Sequence, residues 1–241
     1  MNRVSLITGA SRGLGKTLAA FLAGRGDDLV ITARGGAGLA AAAGELEALG
    51  GRVVAIAGDV SDPAHGRRLV AAAEELGGLH LLVNNASILG PSPQPALADY
   101  PLETLEQVFA VNVLAPLGLI QQALPLLKRS GGLVINVSSD AAVGGYAGWG
   151  GYGASKAALD LLSRTLANEL REAAVAVVSV DPGDMRTQMH QEAFPGEDIR
   201  DRPMPEVTLP FWAWLLGRPA MEITGGRFQA QAEQWSLATD L

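Results

Sequence analysis

The sequence has no cysteine and only three histidines, so the residue types that most often hold structural metals are nearly missing. Without cysteine, a disulfide framework and a thiolate metal site are both excluded. His65, His80 and His190 are scattered, and no two of them have the spacing of metal ligands on one helix. We therefore expect no metal site in this chain.

Basic residues are also in the minority. The chain has 18 lysines and arginines against 25 acidic residues, for a formal net charge of −7. A nucleic-acid-binding surface needs a basic face, so this balance argues against a nucleic-acid partner. No apolar run reaches membrane-spanning length, and Met1-Asn2-Arg3 leads into a short strand rather than a signal peptide. We expect a soluble, cytoplasmic protein without a membrane partner.

Short apolar runs alternate with helical patterns from one end of the chain to the other. The runs are continuously apolar rather than alternating, which is typical of parallel strands covered on both faces. We therefore predict a doubly wound, Rossmann-type α/β fold with about seven strands and helices on both faces, in a single domain over 1–241. Length alone leaves two small domains open. The predicted strands are Val4–Thr8, Leu29–Thr32, Val53–Ala57, Leu79–Val83, Leu133–Val137, Val175–Val180 and a short one within Ile223–Phe228. The predicted helices are Gly15–Arg25, Gly38–Leu49, 62–76, Leu102–Leu127 and Tyr152–Glu169.

A glycine-rich loop joins the first strand to the first helix. Its glycines permit a tight turn and a close approach of a ligand, and the helix N-terminus offers free N–H groups to a pyrophosphate. A purely structural turn is the alternative. The loop residues that we expect to bind a dinucleotide are Gly9, Ser11, Arg12, Gly13, Leu14 and Gly15.

Arginine follows the second strand, where such folds test the 2′ position of the ribose. An acidic residue there would accept a hydrogen bond from a free hydroxyl, whereas Arg34 can hold a 2′-phosphate. Arg12 and Ser11 offer further donors. We therefore predict NADP(H) in preference to NAD(H), the alternative being two solvated surface arginines.

Tyr152 and Lys156 lie one helical turn apart, which places an ammonium beside a phenol. A unit charge at about 4 Å and an effective dielectric of about 20 contributes about 4 kcal/mol, enough to lower a phenol pKa by up to a few pH units. This predicts an acid–base pair. The spacing alone is common, and an ordinary amphipathic helix is the alternative.

Taken together, the motifs resemble the short-chain dehydrogenase/reductase family over essentially the full length of the chain. They occur in the order and spacing of that family. They are Thr8-Gly9-x-x-x-Gly13-x-Gly15, Asp59-Val60, Asn84-Asn85-Ala86, Asn112, Ser139, Tyr152-x-x-x-Lys156 and Pro182-Gly183 with Thr187. The resemblance implies an enzyme that transfers hydride between a nicotinamide cofactor and a carbonyl or alcohol.

The resemblance also implies a role for each matching residue. Tyr152 is then the general acid/base, and Ser139 bonds the substrate oxygen. Lys156 binds the nicotinamide ribose and lowers the pKa of Tyr152, and Asn112 holds a water in a proton relay to that lysine. The implied cofactor-binding residues beyond the glycine-rich loop and Arg34 are Asp59, Val60, Asn85, Ala86, Tyr152, Lys156, Pro182, Gly183, Met185 and Thr187.

Simpler roles are open for several of these positions. Asp59 is also placed to cap a helix, Asn112 to mark a helix bend near Pro116, and Ser138 to support a strand end. One residue departs from the family pattern. Ser87 replaces the usual glycine after Asn84-Asn85-Ala86, which adds a hydroxyl, narrows the space near the nicotinamide or requires an unfavourable backbone angle.

The substrate is predicted only by class. We expect an apolar pocket for a small or medium carbonyl compound, under a mobile lid formed by 188–210. Alternatives are reduction of a 3-oxoacyl-carrier-protein, other nicotinamide chemistry such as epimerisation, and a nucleotide-binding regulator without turnover. The resemblance further implies a homodimer or homotetramer, formed through the helices that carry Asn112 and Tyr152. The candidate pocket residues are Ile88, Leu89, Tyr146, Trp149, Met185, Met189 and Phe194.

Overall fold

Seven parallel strands form one sheet in the computed structural model, which describes residues 2–236 of the chain. The strand order is β3-β2-β1-β4-β5-β6-β7, and every neighbouring pair is parallel. The order reverses between β1 and β4, so the carboxyl ends of these strands open onto the crevice where doubly wound folds bind ligands. The strands are β1 (Val4–Thr8), β2 (Asp28–Ala33), β3 (Val53–Ala57), β4 (Leu81–Asn84), β5 (Leu133–Val137), β6 (Ala176–Asp181) and β7 (Arg227–Gln229).

Helices cover both faces of the sheet, as the apolar strands predict. Side chains alternate along each strand: in β4, Leu82 packs under one helix layer, and Leu81 and Val83 under the other. α1, α2 and α8 contribute to one layer, and α3, α5 and α6 to the other. The helices are α1 (Gly13–Gly24), α2 (Gly36–Glu47), α3 (Pro63–Glu75), α4 (Leu102–Phe109), α5 (Ala115–Ser130), α6 (Gly150–Glu169), α7 (Gln188–Ala193), α8 (Leu209–Leu216) and α9 (Ala220–Ile223).

The predicted helix Leu102–Leu127 is interrupted. α4 passes into a turn of π-helix over Ala110–Leu114 before α5 begins. Pro116 has no N–H, so it cannot donate the α-helical hydrogen bond to the carbonyl of Asn112. The apolar pattern continues across the break, and periodicity alone therefore predicts one helix.

The last strand is short, as predicted, but it lies later than expected, because Ile223 ends α9 and β7 covers Arg227–Gln229. The stretch Leu102–Ser130 is long and apolar enough to cross a membrane by length and composition, but half of the apolar window is buried inside the fold. Core helices commonly meet the same criterion.

A buried polar chain fixes the register between β4, β5 and α6. The amide of Asn84 donates to Asn136 Oδ1 (2.8 Å), and the amide of Asn136 donates to Ser163 Oγ (2.7 Å). Ser163 in turn donates to the Leu159 carbonyl (2.6 Å). A shift of one residue would leave these buried groups unpaired. These hydrogen bonds therefore fix the carboxyl ends of β4 and β5 relative to each other beside the crevice.

Candidate active site

A cleft of about 850 Å³ opens at the carboxyl ends of the strands. With one exception, the predicted catalytic and cofactor-binding residues line it. The exception is Asn112, which is fully buried behind the wall of the cleft. The predicted residues that line the cleft are Gly9, Ser11, Arg12, Gly13, Leu14, Gly15, Arg34, Asp59, Val60, Asn85, Ala86, Ser139, Tyr152, Lys156, Pro182, Gly183, Met185 and Thr187.

At one end of the cleft, the glycine-rich loop leads into the N-terminus of α1. Gly9 has a φ of 69°, a left-handed conformation that favours glycine. A Cβ on Gly15 would lie 2.4 Å from the Gly9 carbonyl oxygen. Arg12 occupies the N-cap position without a side-chain capping bond, and the first turn has no acidic residue. The N–H groups of this turn are therefore open to an anion.

Thr8 and Asn85 hold this loop in place. The backbone N–H groups of Asn85 and Ala86 both donate to Thr8 Oγ1 (3.0 Å each). The amide of Asn85 donates to the carbonyls of Thr8 (2.8 Å) and Gly9 (3.2 Å). Its side chain therefore shapes the loop from beneath while the residue also lines the cleft.

Arg34 and Asp59 lie at the outer edge of the cleft, at the same end as the glycine-rich loop. Arg34 is exposed directly after β2. Asp59 Oδ1 accepts hydrogen bonds from the Ser61 N–H (2.9 Å) and hydroxyl (2.7 Å). These bonds, followed by the charge of Arg34, hold the pKa of Asp59 below its usual value. Asp62 is the residue that caps α3, through Ala64 N–H (2.8 Å), so Asp59 does not take the capping role considered above.

Tyr152 and Lys156 lie on α6 in the middle of the cleft. Lys156 is 2 % exposed, and its Nζ donates to the carbonyl of Val137 (2.7 Å) at the end of β5. Burial lowers the pKa of Lys156 to about 8, with the charge of Asp160 opposing that change. Nζ lies 5.5 Å from the centroid of the Tyr152 ring. The predicted pairing of phenol and ammonium on one helix face is therefore present.

The pKa of Tyr152 changes in the direction opposite to the one predicted from the sequence. Burial raises the pKa of Tyr152 above its usual value, and the carboxylates of Asp181 and Asp140 act in the same direction. The hydroxyls of Ser87 and Ser139 act in the opposite direction, but burial outweighs them. The spacing to Lys156 predicted a lowered pKa, and the structure gives the opposite net direction because the phenolate would lie in a site almost closed to water.

Ser138 and Ser139 follow β5 and differ in their surroundings. The N–H of Ser138 donates to the Val180 carbonyl (2.7 Å) and continues the pairing with β6, as its expected supporting role requires. Its buried hydroxyl has no partner among the described residues. Ser139 Oγ accepts from Ala141 N–H (3.2 Å) and donates to Asp140 Oδ1 (3.0 Å). Both serines line the cleft.

Asn112 joins three elements through its side chain. Its Oδ1 accepts from the Ser87 hydroxyl (3.0 Å) and the Ile88 N–H (2.9 Å), and its amide donates to the Ile88 carbonyl (2.9 Å) and Ser155 Oγ (3.0 Å). These bonds use both amide hydrogens and both lone pairs of Oδ1. A relay water, as the resemblance implies, would therefore need another atom of this residue, such as the backbone carbonyl, to which Pro116 cannot donate.

Several residues of the site were not identified from the sequence. Arg227 on β7 donates to the Ser139 carbonyl (2.8 Å) and to Asp160 Oδ2 (2.8 Å), and lies 3.9 Å from Asp181. Burial raises the pKa of Asp181. The sequence does contain an indication of Asp181, which is an acidic residue at the end of an apolar strand, directly before Pro182-Gly183. Arg227 carried no local signal, because only the pairing of β7 with β6 brings it beside Ser139 and Asp181.

The other end of the cleft is apolar. Trp149 packs edge-on against Tyr152 (5.8 Å between centroids) and against Phe194 (5.8 Å). Thr187 Oγ1 accepts from His190 N–H (3.2 Å) and caps α7, the short helix of the predicted lid. Gln188 Oε1 accepts from Arg12, which joins the lid to the glycine-rich loop. All the predicted pocket residues line the cleft: Ile88, Leu89, Tyr146, Trp149, Met185, Met189 and Phe194.

Comparison with known proteins agrees with this arrangement. A family profile described as short chain dehydrogenase matches residues 3–198. The chain is 38% identical over 227 residues to the rhamnolipids biosynthesis 3-oxoacyl-[acyl-carrier-protein] reductase of Pseudomonas aeruginosa, covering 90% of this chain and 84% of the relative. It is 30% identical over 234 residues to the cyclohexanol dehydrogenase of an Acinetobacter species, covering 94% and 92%.

Among solved structures, the Pseudomonas aeruginosa RhlG/NADP active-site complex superposes with a TM-score of 0.82 at 35% identity and covers 94% of both chains. The parallel sheet of seven strands and the match of the family profile over most of the chain lead to one assignment. The chain belongs to the short-chain dehydrogenase/reductase family of oxidoreductases.

Proposed function

We propose that the protein interconverts a ketone or aldehyde with the corresponding alcohol, with NADP(H) as cofactor, on a small to medium, largely apolar substrate. One observation carries the proposal. Tyr152, Ser139 and Lys156 line the middle of one cleft that has an open helix N-terminus at one end and an apolar wall at the other. A dinucleotide and an apolar carbonyl compound together need such a cleft.

The residues of the cleft fit a nicotinamide dinucleotide. The first turn of α1 lacks a side-chain cap, and the glycines at 9 and 15 leave space that a Cβ would fill. Arg12, Arg34 and Asp59 would hold the adenosine end, and Pro182, Gly183 and Thr187 the nicotinamide end. When bound, the nicotinamide supplies or accepts the hydride of the reaction.

The chain's own residues would orient the substrate and move the proton. The hydroxyls of Ser139 and Tyr152 hold the substrate oxygen, and Tyr152 gives its proton to that oxygen as negative charge develops there. The raised pKa of Tyr152 suits this role, because the phenol is protonated at neutral pH. Lys156, held by the Val137 carbonyl, supplies a buried positive charge beside the phenol ring. In the alcohol direction, Tyr152 must first lose its proton.

The preference for NADP(H) is supported by Arg34 and by the structural likeness to a protein solved with NADP. A charged hydrogen bond contributes about 1.5–3 kcal/mol, so Arg34→Asp should lower the NADPH-to-NADH ratio of kcat/KM by about 10- to 100-fold or more. Steady-state kinetics with both cofactors measure it. Arg171→Asp, at the opposite edge of the sheet, is the matched control and should leave the ratio unchanged. An unchanged ratio in Arg34→Asp would refute the 2′-phosphate role.

Two substrate classes have specific support. The apolar wall favours a small ketone or a cyclic alcohol, in line with the relative that is a cyclohexanol dehydrogenase. The relative that is a 3-oxoacyl-[acyl-carrier-protein] reductase favours a 3-oxoacyl thioester. A screen of NADPH oxidation over ketones, aldehydes, quinones, sugars and 3-oxoacyl thioesters separates the two, with Tyr152→Phe as the inactive control. Binding of NADPH without turnover of any compound would favour the alternative of a nucleotide-binding regulator.

We also propose that the protein forms a homo-oligomer through the layer of α4, α5 and α6. This layer exposes large apolar side chains: Leu102 is 73% exposed, Leu114 62% and Leu161 63%. Leu161→Glu should shift the protein towards monomer in sedimentation velocity, because it places a charge in the contact. Leu49→Glu, after α2 on the other face, is the control. A wild-type protein that sediments as a monomer at working concentration would contradict the proposal.

A further inference from the structure

Arg227 on β7 forms hydrogen bonds to two separate segments beside the cleft. Its Nη2 donates to the carbonyl of Ser139 (2.8 Å), and its Nε donates to Asp160 Oδ2 (2.8 Å). The side chain of Arg227 is 20% exposed and that of Asp160 10%, so both bonds lie largely away from water, where a charged hydrogen bond is strong. Because the guanidinium is planar, these two acceptors together fix its orientation.

The two acceptors belong to the segments that carry the two hydroxyls of the site. Asp160 lies on α6, about one turn after Lys156 and about two turns after Tyr152. Ser139 follows β5. Arg227 therefore joins the end of β5 to the helix that carries the phenol, and its two bonds set the position of one segment relative to the other.

The backbone is held on both sides of Ser139. Before it, the N–H of Ser138 donates to the Val180 carbonyl (2.7 Å). After it, the Ser139 carbonyl accepts from Arg227 (2.8 Å) and from the N–H of Ala142 (3.1 Å). Ser139 itself is extended, with a φ of −161° and a ψ of 160°. With the chain held before and after this residue, the direction of its Cα–Cβ bond is set, and with it the reach of its hydroxyl.

We propose that Arg227 is a positioning residue, which holds the main chain of Ser139 against α6 so that the hydroxyls of Ser139 and Tyr152 meet at one substrate oxygen. Arg227 is not among the described residues that line the cleft, so it acts through Ser139 rather than on the substrate. The proposal rests on the proposed function, in which both hydroxyls hold that oxygen. Displacement of a reacting group by about 1 Å can lower a rate by about 100-fold.

A second carboxylate lies near Arg227 but does not depend on it. Asp181 is 3.9 Å away, beyond hydrogen-bond distance, and its Oδ1 accepts from the Gly183 N–H (3.0 Å). It therefore keeps that partner when Arg227 is replaced. Asp160 is different, because loss of Arg227 would remove the bond to its buried Oδ2, and an unpaired buried charge is strongly destabilising.

The test is a double-mutant cycle in an Asp160→Asn background, which leaves no unpaired carboxylate at that position. Arg227→Met has a similar length and no donor, and it should lower kcat for the best carbonyl substrate of the screen by about 10- to 100-fold. The KM for NADPH should change by less than about twofold. When Ser139→Ala is also present, Arg227→Met should lower kcat by less than about threefold, because no hydroxyl remains to be positioned.

Hydrogen exchange of the cofactor-free protein gives a readout that needs no substrate. The N–H groups of Ala142 and Val143 donate to the carbonyls of Ser139 (3.1 Å) and Asp140 (2.9 Å) and close the turn after β5. Arg227→Met should speed the exchange of these two amides relative to the same background with arginine, because the turn loses one of its anchors. Exchange in β1 should stay unchanged and shows that the fold is intact.

Arg67→Met, at an exposed arginine on α3, is the matched control and should change neither kcat nor the exchange of the turn. Equal losses from Arg227→Met with and without the Ser139 hydroxyl would overturn the proposal, since the effect would not pass through that hydroxyl. Unchanged exchange of the two turn amides would overturn it as well. A Ser139→Ala protein with wild-type turnover would contradict the proposed function instead, while the exchange would still report on the bond from Arg227.

Discussion

Tyr152→Phe should lose turnover by about 10²- to 10⁴-fold while it binds NADPH with nearly wild-type affinity. General acid–base catalysis by one positioned side chain typically contributes a factor of that size. Phenylalanine keeps the ring that packs edge-on against Trp149, and Tyr152 is only 7% exposed, so the change removes a hydroxyl and little else. Calorimetry for NADPH and kcat/KM for the best carbonyl substrate of the screen measure the two effects.

The two directions of the reaction should also differ in their pH dependence. Burial raises the pKa of Tyr152, so the acid form dominates at neutral pH. Carbonyl reduction uses that form and should stay nearly constant across neutral pH. Alcohol oxidation uses the phenolate and should increase up to about tenfold per pH unit below that pKa.

Tyr146→Phe is the control for Tyr152→Phe, because it removes a phenol hydroxyl from the same cleft at a side chain that is half exposed. It should retain most of the turnover. A Tyr152→Phe variant with wild-type kcat/KM would mean that another group moves the proton. Equal losses in both variants would mean that the cleft, rather than one hydroxyl, had been disturbed.

Lys156→Met should stabilise the cofactor-free protein at pH 7 while it abolishes activity. The fall of the lysine pKa from 10.5 to about 8 corresponds to about 3 kcal/mol of burial cost, at about 1.4 kcal/mol per pH unit. Methionine fills a similar volume without a charge but leaves the Val137 carbonyl unpaired, which costs about 1 kcal/mol. The net gain of about 2 kcal/mol should raise Tm by about 4–8 °C in a protein of this size.

The stabilisation by Lys156→Met should depend on pH, because the burial cost arises only while Lys156 carries its charge. Above pH 10.5, Lys156 is neutral in both the folded and the unfolded chain, and it imposes no charge penalty. As the pH falls towards 8, the unfolded chain takes up the proton first, so the wild-type protein loses stability, and below pH 8 the penalty is complete. The gain from Lys156→Met should therefore be large at pH 7 and shrink towards pH 10.

Lys128→Met is the matched control, since Lys128 is exposed at the end of α5. Its Tm difference from wild type should be small and change little with pH. A Lys156→Met protein that melts below wild type at pH 7 would show that the bond to the Val137 carbonyl outweighs the cost of burying the charge. Thermal unfolding of the cofactor-free proteins at several pH values measures both variants.

The spacing of apolar residues and the glycines at the ends of helices and strands were sufficient to predict the architecture. Continuous apolar runs such as Val4–Thr8 indicate strands covered on both faces, and in the structure they form parallel neighbours in one sheet. The helix boundaries differ from the predictions by a few residues, because end residues such as Gly13 and Gly36 join their helices through backbone bonds that side-chain patterns do not reveal. The π turn at Asn112 was missed because its apolar pattern is indistinguishable from that of a straight helix.

The candidate site was predictable to the extent that each residue carries a local signal. The spacing of Tyr152 and Lys156 is local, and so are the glycines of the loop, so the sequence identified them. Contacts between distant segments are not local. Three hydrogen bonds of the site exist only because the order of the strands brings their ends to one edge of the sheet. They join Asn112 to Ser155, Ser139 to Arg227 and Arg12 to Gln188.

The sequence by itself therefore determined the fold class, the family and the candidate residues, because each of these depends on spacing along the chain. The tertiary structure decided the electrostatics of those residues. It buries Tyr152 and Lys156 together, raises the pKa of one and lowers that of the other, and turns the Ser139 hydroxyl towards Asp140. It also joins Ser87 to Asn112, which lies in a distant segment of the chain. The free energy of a charge depends on its exposure to water and on neighbours from other segments, and both exist only after the chain has folded.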